Sequence, residues 1–274
     1  MPAVVTAEST SRTVDIDGAT LHYHDAGEGP VLLCIHGGAP GAYGWGNFGP
    51  SVPHLAEYRR VIVVDLPGYG QSAPRTIEGG RYGFYADLFA RLLDELGVER
   101  ADVLGMATGG AVAMMMMALH HASRVDNLVL VSTAGGLPLF SVMPSEGQKE
   151  IQAYYRGDGP SPERMRRYIE LMMYDHSLIT DDLVEERYQA SIANARVDES
   201  KAVNEQVWRE VDRITSRTLI LWGRENRVQG FDNGLYLLKQ IRNADFHIFS
   251  RAGLWVPYER PEDFAGVVRT FLAG

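Results

Sequence analysis

The sequence Val103-Leu104-Gly105-Met106-Ala107-Thr108-Gly109-Gly110 predicts an apolar strand that runs into a tight glycine turn and then into a helix. This is the context in which the motif G-x-S-x-G presents a nucleophilic serine on a sharp strand-to-helix turn. The glycines are present, but Ala107 occupies the serine position. A methyl group therefore stands where the motif places an attacking oxygen, so the turn itself supplies no nucleophile.

Length and composition allow one large α/β domain or two small ones, and we interpret the chain as one domain with an inserted cap. The 274 residues are 45% hydrophobic, and the formal net charge is -9. Because a negative chain repels phosphate backbones and anionic lipids, neither nucleic acid nor a membrane is an expected partner. The single cysteine, Cys34, lies in an apolar run and is expected to be buried. No apolar segment is long enough for a signal peptide or a membrane span, so we expect a cytoplasmic protein.

Short apolar strands alternate with helices along most of the chain. Alternating apolar and polar residues at 13–17 and 20–24, around Asp17-Gly18, predict a hairpin. Apolar runs predict buried strands at 31–35 and 60–65, and further strands are predicted at 103–106, 126–132, 217–222 and 244–249. Helical periodicity is found at 81–96, 231–241 and 261–272. This order predicts an α/β fold with a mostly parallel eight-stranded sheet and helices on both faces.

Residues 137–213 interrupt this alternation. Their pattern predicts one helix after another with no convincing strand, and Pro144, Gly157 and Pro160 mark breaks between the helices. We interpret this segment as a helical cap inserted into a core domain made of residues 1–136 and 214–274. Such an insertion lies over the carboxyl edge of the sheet, where open α/β sheets bind ligands.

Further segments follow in a characteristic order and spacing. They are His36-Gly37-Gly38-Ala39-Pro40-Gly41 with Trp45 and Asn47, residues 174–180, residues 187–191, residues 223–228 and Gly253-Leu254-Trp255. With the glycine turn, they make the chain resemble an α/β-hydrolase over nearly its whole length. Within that superfamily it is most similar to the meta-cleavage-product hydrolases, which split carbon-carbon bonds of vinylogous 1,5-diketones from aromatic-ring breakdown.

The chain departs from that family at three decisive positions. The family pattern has a serine in the elbow, an aspartate after the late strand and a histidine before the last tryptophan. The matching residues here are Ala107, Asn226 and Leu254. Losing the serine or histidine of such a triad costs about 10⁶-fold in kcat. Hydrolysis by the family route is therefore not expected, and the loss of all three residues favours natural change over a single engineered substitution.

The resemblance also implies which residues hold a substrate. The backbone N–H groups of Gly38, Ala39 and Thr108 would form an oxyanion hole. A guanidinium suits the carboxylate and enolate end of a diketo acid. For Arg187 the structural alternative is a cap arginine that points into water, and for Trp255 it is a packed core aromatic. The expected substrate-binding residues are Asn47, Arg187, Trp255, Met106, Tyr43 and His36.

Three hypotheses for function follow from these residues. The first is a non-hydrolytic enzyme, a cyclase, isomerase or lyase, that acts on an enolic, keto or polyketide-like substrate through the oxyanion hole and positioning. The second is a catalytically inactive protein that binds or senses a small molecule. The third is a carbon-carbon or ester hydrolase with a displaced triad, or an engineered inactive variant. All three imply a small ligand, apolar with an anionic or enolic end, and no cofactor or metal, and all three are compatible with a homodimer.

Overall fold

The computed structural model describes residues 4–193, 198–203 and 205–274, with only the backbone at 198–200. The strands in these ranges are β1 (Ser11–Ile16), β2 (Ala19–Ala26), β3 (Val31–Ile35), β4 (Arg60–Val64), β5 (Thr76–Gly80), β6 (Ala101–Met106), β7 (Val125–Val131), β8 (Asp198–Val203), β9 (Arg217–Gly223) and β10 (Ala244–Phe249).

Eight of these strands form one sheet in the order β1-β2-β4-β3-β6-β7-β9-β10. Strand β2 runs antiparallel to both β1 and β4. All other neighbouring strands in this sheet are parallel. The predicted mostly parallel eight-stranded sheet is therefore confirmed, with the antiparallel hairpin at one edge.

Helices cover both faces of the sheet. The apolar side chains of α4 (Arg81–Glu95), α5 (Thr108–Met115) and α9 (Asp232–Gln240) lie in one apolar layer. Those of α3 (Val52–Ala56) and α11 (Pro261–Ala273) lie in the other. No helix within the described ranges is long and apolar enough to cross a bilayer. The helices are α1 (Ala7–Thr10), α2 (Gly44–Phe48), α3 (Val52–Ala56), α4 (Arg81–Glu95), α5 (Thr108–Met115), α6 (Glu146–Ala153), α7 (Pro162–Met172), α8 (Asp181–Ala193), α9 (Asp232–Gln240), α10 (Val256–Glu259) and α11 (Pro261–Ala273).

Strand β3 shows why the central strands are apolar throughout. Leu33 and Ile35 pack into the layer with α4 and α5, whereas Leu32 and Cys34 pack into the layer with α3 and α11. Successive side chains of a strand point to opposite faces, so a strand covered on both faces needs no polar alternation. Cys34 is fully buried and free, as its sequence context predicts.

A second, two-stranded sheet corrects the prediction that residues 137–213 contain no strand. Strand β8 pairs in parallel with β5, which also was not predicted. Neither strand has the apolar pattern of the main sheet: β5 reads Thr-Ile-Glu-Gly-Gly and β8 reads Asp-Glu-Ser-Lys-Ala-Val. Their pairing joins segments more than 110 residues apart, and local periodicity gives no sign of it.

Candidate functional site

The turn between β6 and α5 keeps the backbone of a nucleophile elbow without its nucleophile. Ala107 has φ 48° and ψ -116°, a conformation that residues other than glycine rarely adopt. The end of β7 and the residues that follow it hold Ala107 in this conformation: its N–H donates to the Val131 carbonyl at 3.1 Å, and its carbonyl accepts from the Ala134 N–H at 2.9 Å. A conformation of this kind costs about 1–3 kcal/mol. The surrounding fold thus imposes a sharp turn that presents only a methyl group.

Close backbone approach explains the two glycines that flank Ala107. A Cβ on Gly109 would overlap the carbonyl oxygen of Ile35 and lie 2.6 Å from that of His36. A Cβ on Gly105 would lie 2.6 Å from the Cα of Gly110. Helix α5 therefore sits directly against β3 and β6, which fixes its first residue at the carboxyl edge of the sheet.

The loop after β3 folds over this turn. A Cβ on Gly37 would lie 3.1 Å from the Ala107 Cβ, and one on Gly38 would lie 3.4 Å from Thr108 Oγ1. Thr108 is the first residue of α5, and the N–H of a first helical residue has no acceptor within its own helix. The Ala39 carbonyl accepts from the Ala42 N–H at 3.0 Å and closes the loop. The structure thus brings the predicted oxyanion-hole segments together.

His36 braces this loop from behind. Its Nδ1 donates to the Gly37 carbonyl at 2.6 Å, and its Nε2 accepts from the Leu66 N–H at 2.9 Å. Burial lowers the pKa of His36 to about 4, and the ring is neutral near pH 7. Because backbone groups occupy both ring nitrogens of a fully buried side chain, His36 has no free nitrogen for a ligand.

Arg187, on α8, is buried against the same loop, with 1% of its surface exposed. One terminal nitrogen donates to the Gly41 carbonyl at 2.9 Å and to Asn47 Oδ1 at 3.1 Å, and the other donates to the Gly46 carbonyl. Its Nε is buried without a partner. This excludes the alternative of a cap arginine that points into water.

Two aromatic rings complete the surroundings of this guanidinium. Its Cζ lies 4.2 Å from the centroid of Trp255 and 5.2 Å from that of Tyr43. Burial lowers the pKa of Arg187, yet an arginine side chain keeps its charge in proteins. No carboxylate among the described residues forms an ion pair with it. We call Arg187, Asn47, Tyr43 and Trp255 the arginine cage.

The remaining two family triad positions also lie in the site region but carry no acid or base. Leu254 is 3% exposed, and its N–H donates to the Met172 carbonyl at 2.6 Å. Asn226 Oδ1 accepts from the backbone N–H groups of Val228 and Gln229, both at 2.9 Å, whereas its Nδ2 is buried without a partner. Asn226 therefore holds its own turn, and no side chain at these two positions can take up a proton from a nucleophile.

The strand end below the cage is apolar. Met106 is 1% exposed, and its sulfur accepts from Asn47 Nδ2 at 3.9 Å. With Ala107 and Leu254, it replaces polar groups by carbon and sulfur. This part of the site is therefore suited to contact an apolar group of a ligand.

A Ser–His–Asp chain of hydrogen bonds does occur elsewhere in the described residues. Ser11 Oγ lies 2.9 Å from His22 Nε2, and His22 Nδ1 lies 2.7 Å from Asp65 Oδ2. Asp65 also accepts from the Gly44 and Gln71 N–H groups, as expected for an aspartate at a strand end. His22 lies on β2, which β4 and β3 separate from β6, roughly 14 Å away at the usual strand spacing. This chain therefore fastens the edge hairpin and does not replace the relay at Ala107.

A cluster of metal-ligating side chains lies outside this site. Asp87 Oδ1 is 2.9 Å from His120 Nδ1 and 3.0 Å from His121 Nε2. These hydrogen bonds join α4 to the end of the helical turn after α5. The three side chains are partly exposed, and hydrogen bonding alone accounts for their arrangement.

Comparison with known proteins places these features in a family. The family profile described as alpha/beta hydrolase fold matches residues 30–261. The 2-hydroxy-6-oxononadienedioate/2-hydroxy-6-oxononatrienedioate hydrolase of Cupriavidus pinatubonensis (strain JMP 134 / LMG 1197) is 37% identical, over 98% of this chain and 97% of that protein. The 2-hydroxy-6-oxo-6-phenylhexa-2,4-dienoate hydrolase of Comamonas testosteroni is 33% identical, over 94% of this chain and 93% of that protein.

A solved structure agrees with these relatives. A serine-to-alanine variant of the meta-cleavage product hydrolase of Pseudomonas fluorescens IP01, complexed with acetates, superimposes with a TM-score of 0.83. It is 30% identical, and the match covers 96% of this chain and 97% of that chain.

These relatives correct the hypothesis that ranked first from the sequence. A non-hydrolytic cyclase, isomerase or lyase is not what they indicate, because relatives at 33–37% identity over nearly the whole chain are named as hydrolases of 2-hydroxy-6-oxo dienoates. The three replaced relay side chains favour a non-hydrolytic reaction, whereas the similarity of the whole chain to these relatives favours the third hypothesis, a hydrolase. The chain therefore belongs to the α/β-hydrolase family of enzymes and is related to its carbon-carbon bond hydrolases.

Proposed function

We propose that the site binds a 2-hydroxy-6-oxo-dienoate acid and hydrolyses the carbon-carbon bond beside its 6-keto group, with water as the direct nucleophile. The observation that carries this proposal is the arginine cage. It contains a buried guanidinium with no carboxylate partner among the described residues and an Nε without a hydrogen-bond acceptor.

A buried cation of this kind needs compensation. The effective cost of taking an ion out of water is several kcal/mol, and backbone carbonyls and aromatic faces offset only part of it. A ligand carboxylate would supply the missing countercharge and an acceptor for Nε. The related Pseudomonas fluorescens protein was solved in complex with acetates, which are carboxylates.

The chemistry of the substrate class assigns parts to both halves of the site. Water adds its oxygen to the 6-keto carbon, and the bond between carbons 5 and 6 breaks. Cleavage requires that the dienol first take its 2-keto form, in which the 2-hydroxyl has lost its proton and carbon 5 has gained one. The electron pair of the broken bond then passes through the conjugated 2-keto group, and this fragment leaves as a dienolate that is protonated on its 2-oxygen by the proton that the added water gives up. The N–H groups near Gly38 and Thr108 would stabilise the negative oxygen on carbon 6. The Arg187 charge would stabilise the enolate and carboxylate end.

The absence of a nucleophile and base at the elbow sets the expected rate. An acyl-enzyme cannot form on Ala107, and Leu254 cannot accept a proton from water. The rate acceleration that remains after a triad is lost is typically about 10³- to 10⁴-fold over the uncatalysed reaction. We therefore expect slow hydrolysis that depends on positioning and on the oxyanion loop.

The first experiment measures product formation. The wild-type protein is incubated with 2-hydroxy-6-oxo-6-phenylhexa-2,4-dienoate, chosen because the elbow is apolar, and released benzoate is quantified by chromatography. We expect benzoate to form faster than in buffer and this excess to disappear in Arg187→Ala. The matched control is Arg167→Ala, an exposed cap arginine paired with Glu150, which should keep the wild-type rate. Equal benzoate formation with and without protein would contradict the proposal.

A second candidate function is ligand binding without turnover. Leu254 favours it, because the position of the family base carries only carbon atoms. Under this candidate the dienoate binds with dependence on Arg187, but no benzoate is released above the rate in buffer.

We also propose that residues 137–213 form the cap over this site and that the protein is cytoplasmic. The position of Arg187 on α8 supports the first point, since its side chain reaches carbonyl groups of the loop after β3.

A further inference from the structure

Tyr168, on α7, presents a buried hydroxyl that has no hydrogen-bond partner. The side chain is fully buried, and its Oη contacts no donor or acceptor. Its neighbour Tyr154, whose ring centroid lies 6.4 Å away, has its hydroxyl 2.8 Å from Ser191 Oγ. Buried hydroxyl groups in folded proteins nearly always have a partner, so the unpaired one requires an explanation.

One face of α7 places Tyr168 between the loop that binds Arg187 and the segment at Leu254. Residues 165, 168 and 172 share one face of α7, because residues three and four positions apart are neighbours on a helix. Met165 Cε lies 3.1 Å from the position of a Cβ on Gly41, in the loop that binds Arg187. The Met172 carbonyl accepts from the N–H of Leu254. Tyr168 therefore lies between the arginine cage and the position of the family base.

The charge of Arg187 reaches this hydroxyl. Burial raises the pKa of Tyr168, and the positive charge of Arg187 opposes this increase. Tyr168 remains a neutral donor near pH 7. An anionic oxygen is the natural acceptor for this hydroxyl, because the positive charge of Arg187 attracts the same oxygen.

We propose that the Tyr168 hydroxyl donates a hydrogen bond from the cap to an anionic oxygen of the bound ligand, the same oxygen-bearing end that Arg187 holds. This inference rests on the proposed function, since it takes the ligand to be an oxo acid. It adds a ligand contact from α7 to those from the loop after β3 and from α8.

The stability of the free protein gives the first part of the test. Tyr168→Phe removes a hydroxyl that has no partner, so Tm should stay the same or rise. Tyr154→Phe is the matched control: it removes the buried hydrogen bond between the Tyr154 hydroxyl and Ser191 Oγ and should lower Tm by about 2–4 °C. A fall in Tm for Tyr168→Phe as large as that for Tyr154→Phe would mean that the hydroxyl is structural, and the proposal would be wrong.

Ligand affinity gives the second part. Titration with 2-hydroxy-6-oxo-6-phenylhexa-2,4-dienoate should show binding about tenfold or more weaker in Tyr168→Phe and unchanged in Tyr154→Phe, as expected for a lost hydrogen bond to a charged group. Wild-type affinity in Tyr168→Phe, together with weakened binding in Arg187→Ala, would overturn this inference alone. No binding by the wild-type protein would overturn both this inference and the proposed function.

Discussion

The elbow and the arginine cage lie on two sides of one site and differ in which atoms build them. At the elbow, the backbone geometry is kept around Ala107, while the side chains of the relay are replaced at all three positions. In the cage, the side chains themselves are in place, with Arg187 bound to two backbone carbonyls and to Asn47.

This difference shows which parts of such a site a fold constrains. The glycines of the elbow cannot change without moving β3 or α5, because backbone atoms fill the space of a Cβ. The relay positions accept a different side chain without such a backbone clash. Leu254 fits a buried position, and Asn226 still accepts the two N–H groups that an aspartate would accept.

Restoring the relay should produce the largest change. The triple variant Ala107→Ser, Asn226→Asp, Leu254→His should raise the rate of dienoate hydrolysis by about 10³-fold or more, because the elbow backbone already has the required geometry. Ala107→Ser alone should remain near the wild-type rate, since triad members act as a unit. Steady-state release of benzoate measures both. High activity in the single variant would show that another base is already in place.

The elbow glycines test whether the fold itself maintains the turn. Gly109→Ala should lower the free energy of unfolding by about 3 kcal/mol or more, because its Cβ would overlap the backbone of β3. Gly266→Ala is the matched control, since it lies in α11 with nothing within 4 Å of a Cβ, and should stabilise by about 0.5–1 kcal/mol. Urea denaturation gives both values. Similar stability of the two variants would contradict close packing at the elbow.

Acid should lower the stability of the loop after β3, which lies between the elbow and the arginine cage. His36 has a pKa of about 4 in the folded protein and an ordinary value near 6.5, so the unfolded chain binds more protons between these values and stability falls as pH falls. From pH 7 to pH 5 this loss is about 2 kcal/mol. His36→Gln should show a correspondingly smaller loss over the same range in urea denaturation. Parallel pH profiles for the two proteins would exclude His36 as the cause.

Much of the main sheet follows from sequence, because its strands are buried on both faces. The apolar runs around Leu33, Ile62 and Leu128 correspond to β3, β4 and β7 within one or two residues. The pair β5 and β8 could not be predicted, because its residues are polar and distant in sequence. The short helices α2 and α3 were also not predicted, because five residues are too few to show helical periodicity.

The candidate site was predictable only in part. Family resemblance identified Arg187 and Asn47. In the structure a terminal guanidinium nitrogen of Arg187 lies 3.1 Å from Asn47 Oδ1, although 140 residues separate the two in sequence. The carbonyl groups of Gly41 and Gly46 carry no sequence signal, since every residue has a carbonyl. Tyr168 was missed because a tyrosine on an apolar helix face is usually a core residue, and only its unpaired hydroxyl distinguishes it.

The most direct test of the account is the affinity of the arginine cage for its ligand. Calorimetry should measure the binding of 2-hydroxy-6-oxo-6-phenylhexa-2,4-dienoate to the wild-type protein, Arg187→Ala and the surface control Arg167→Ala. Removing the charge partner of a bound anion usually costs about 2–5 kcal/mol. We therefore expect affinity to fall more than tenfold in Arg187→Ala and to remain unchanged in Arg167→Ala. Equal affinity in Arg187→Ala and the wild-type protein would contradict the central claim that this buried arginine holds the substrate.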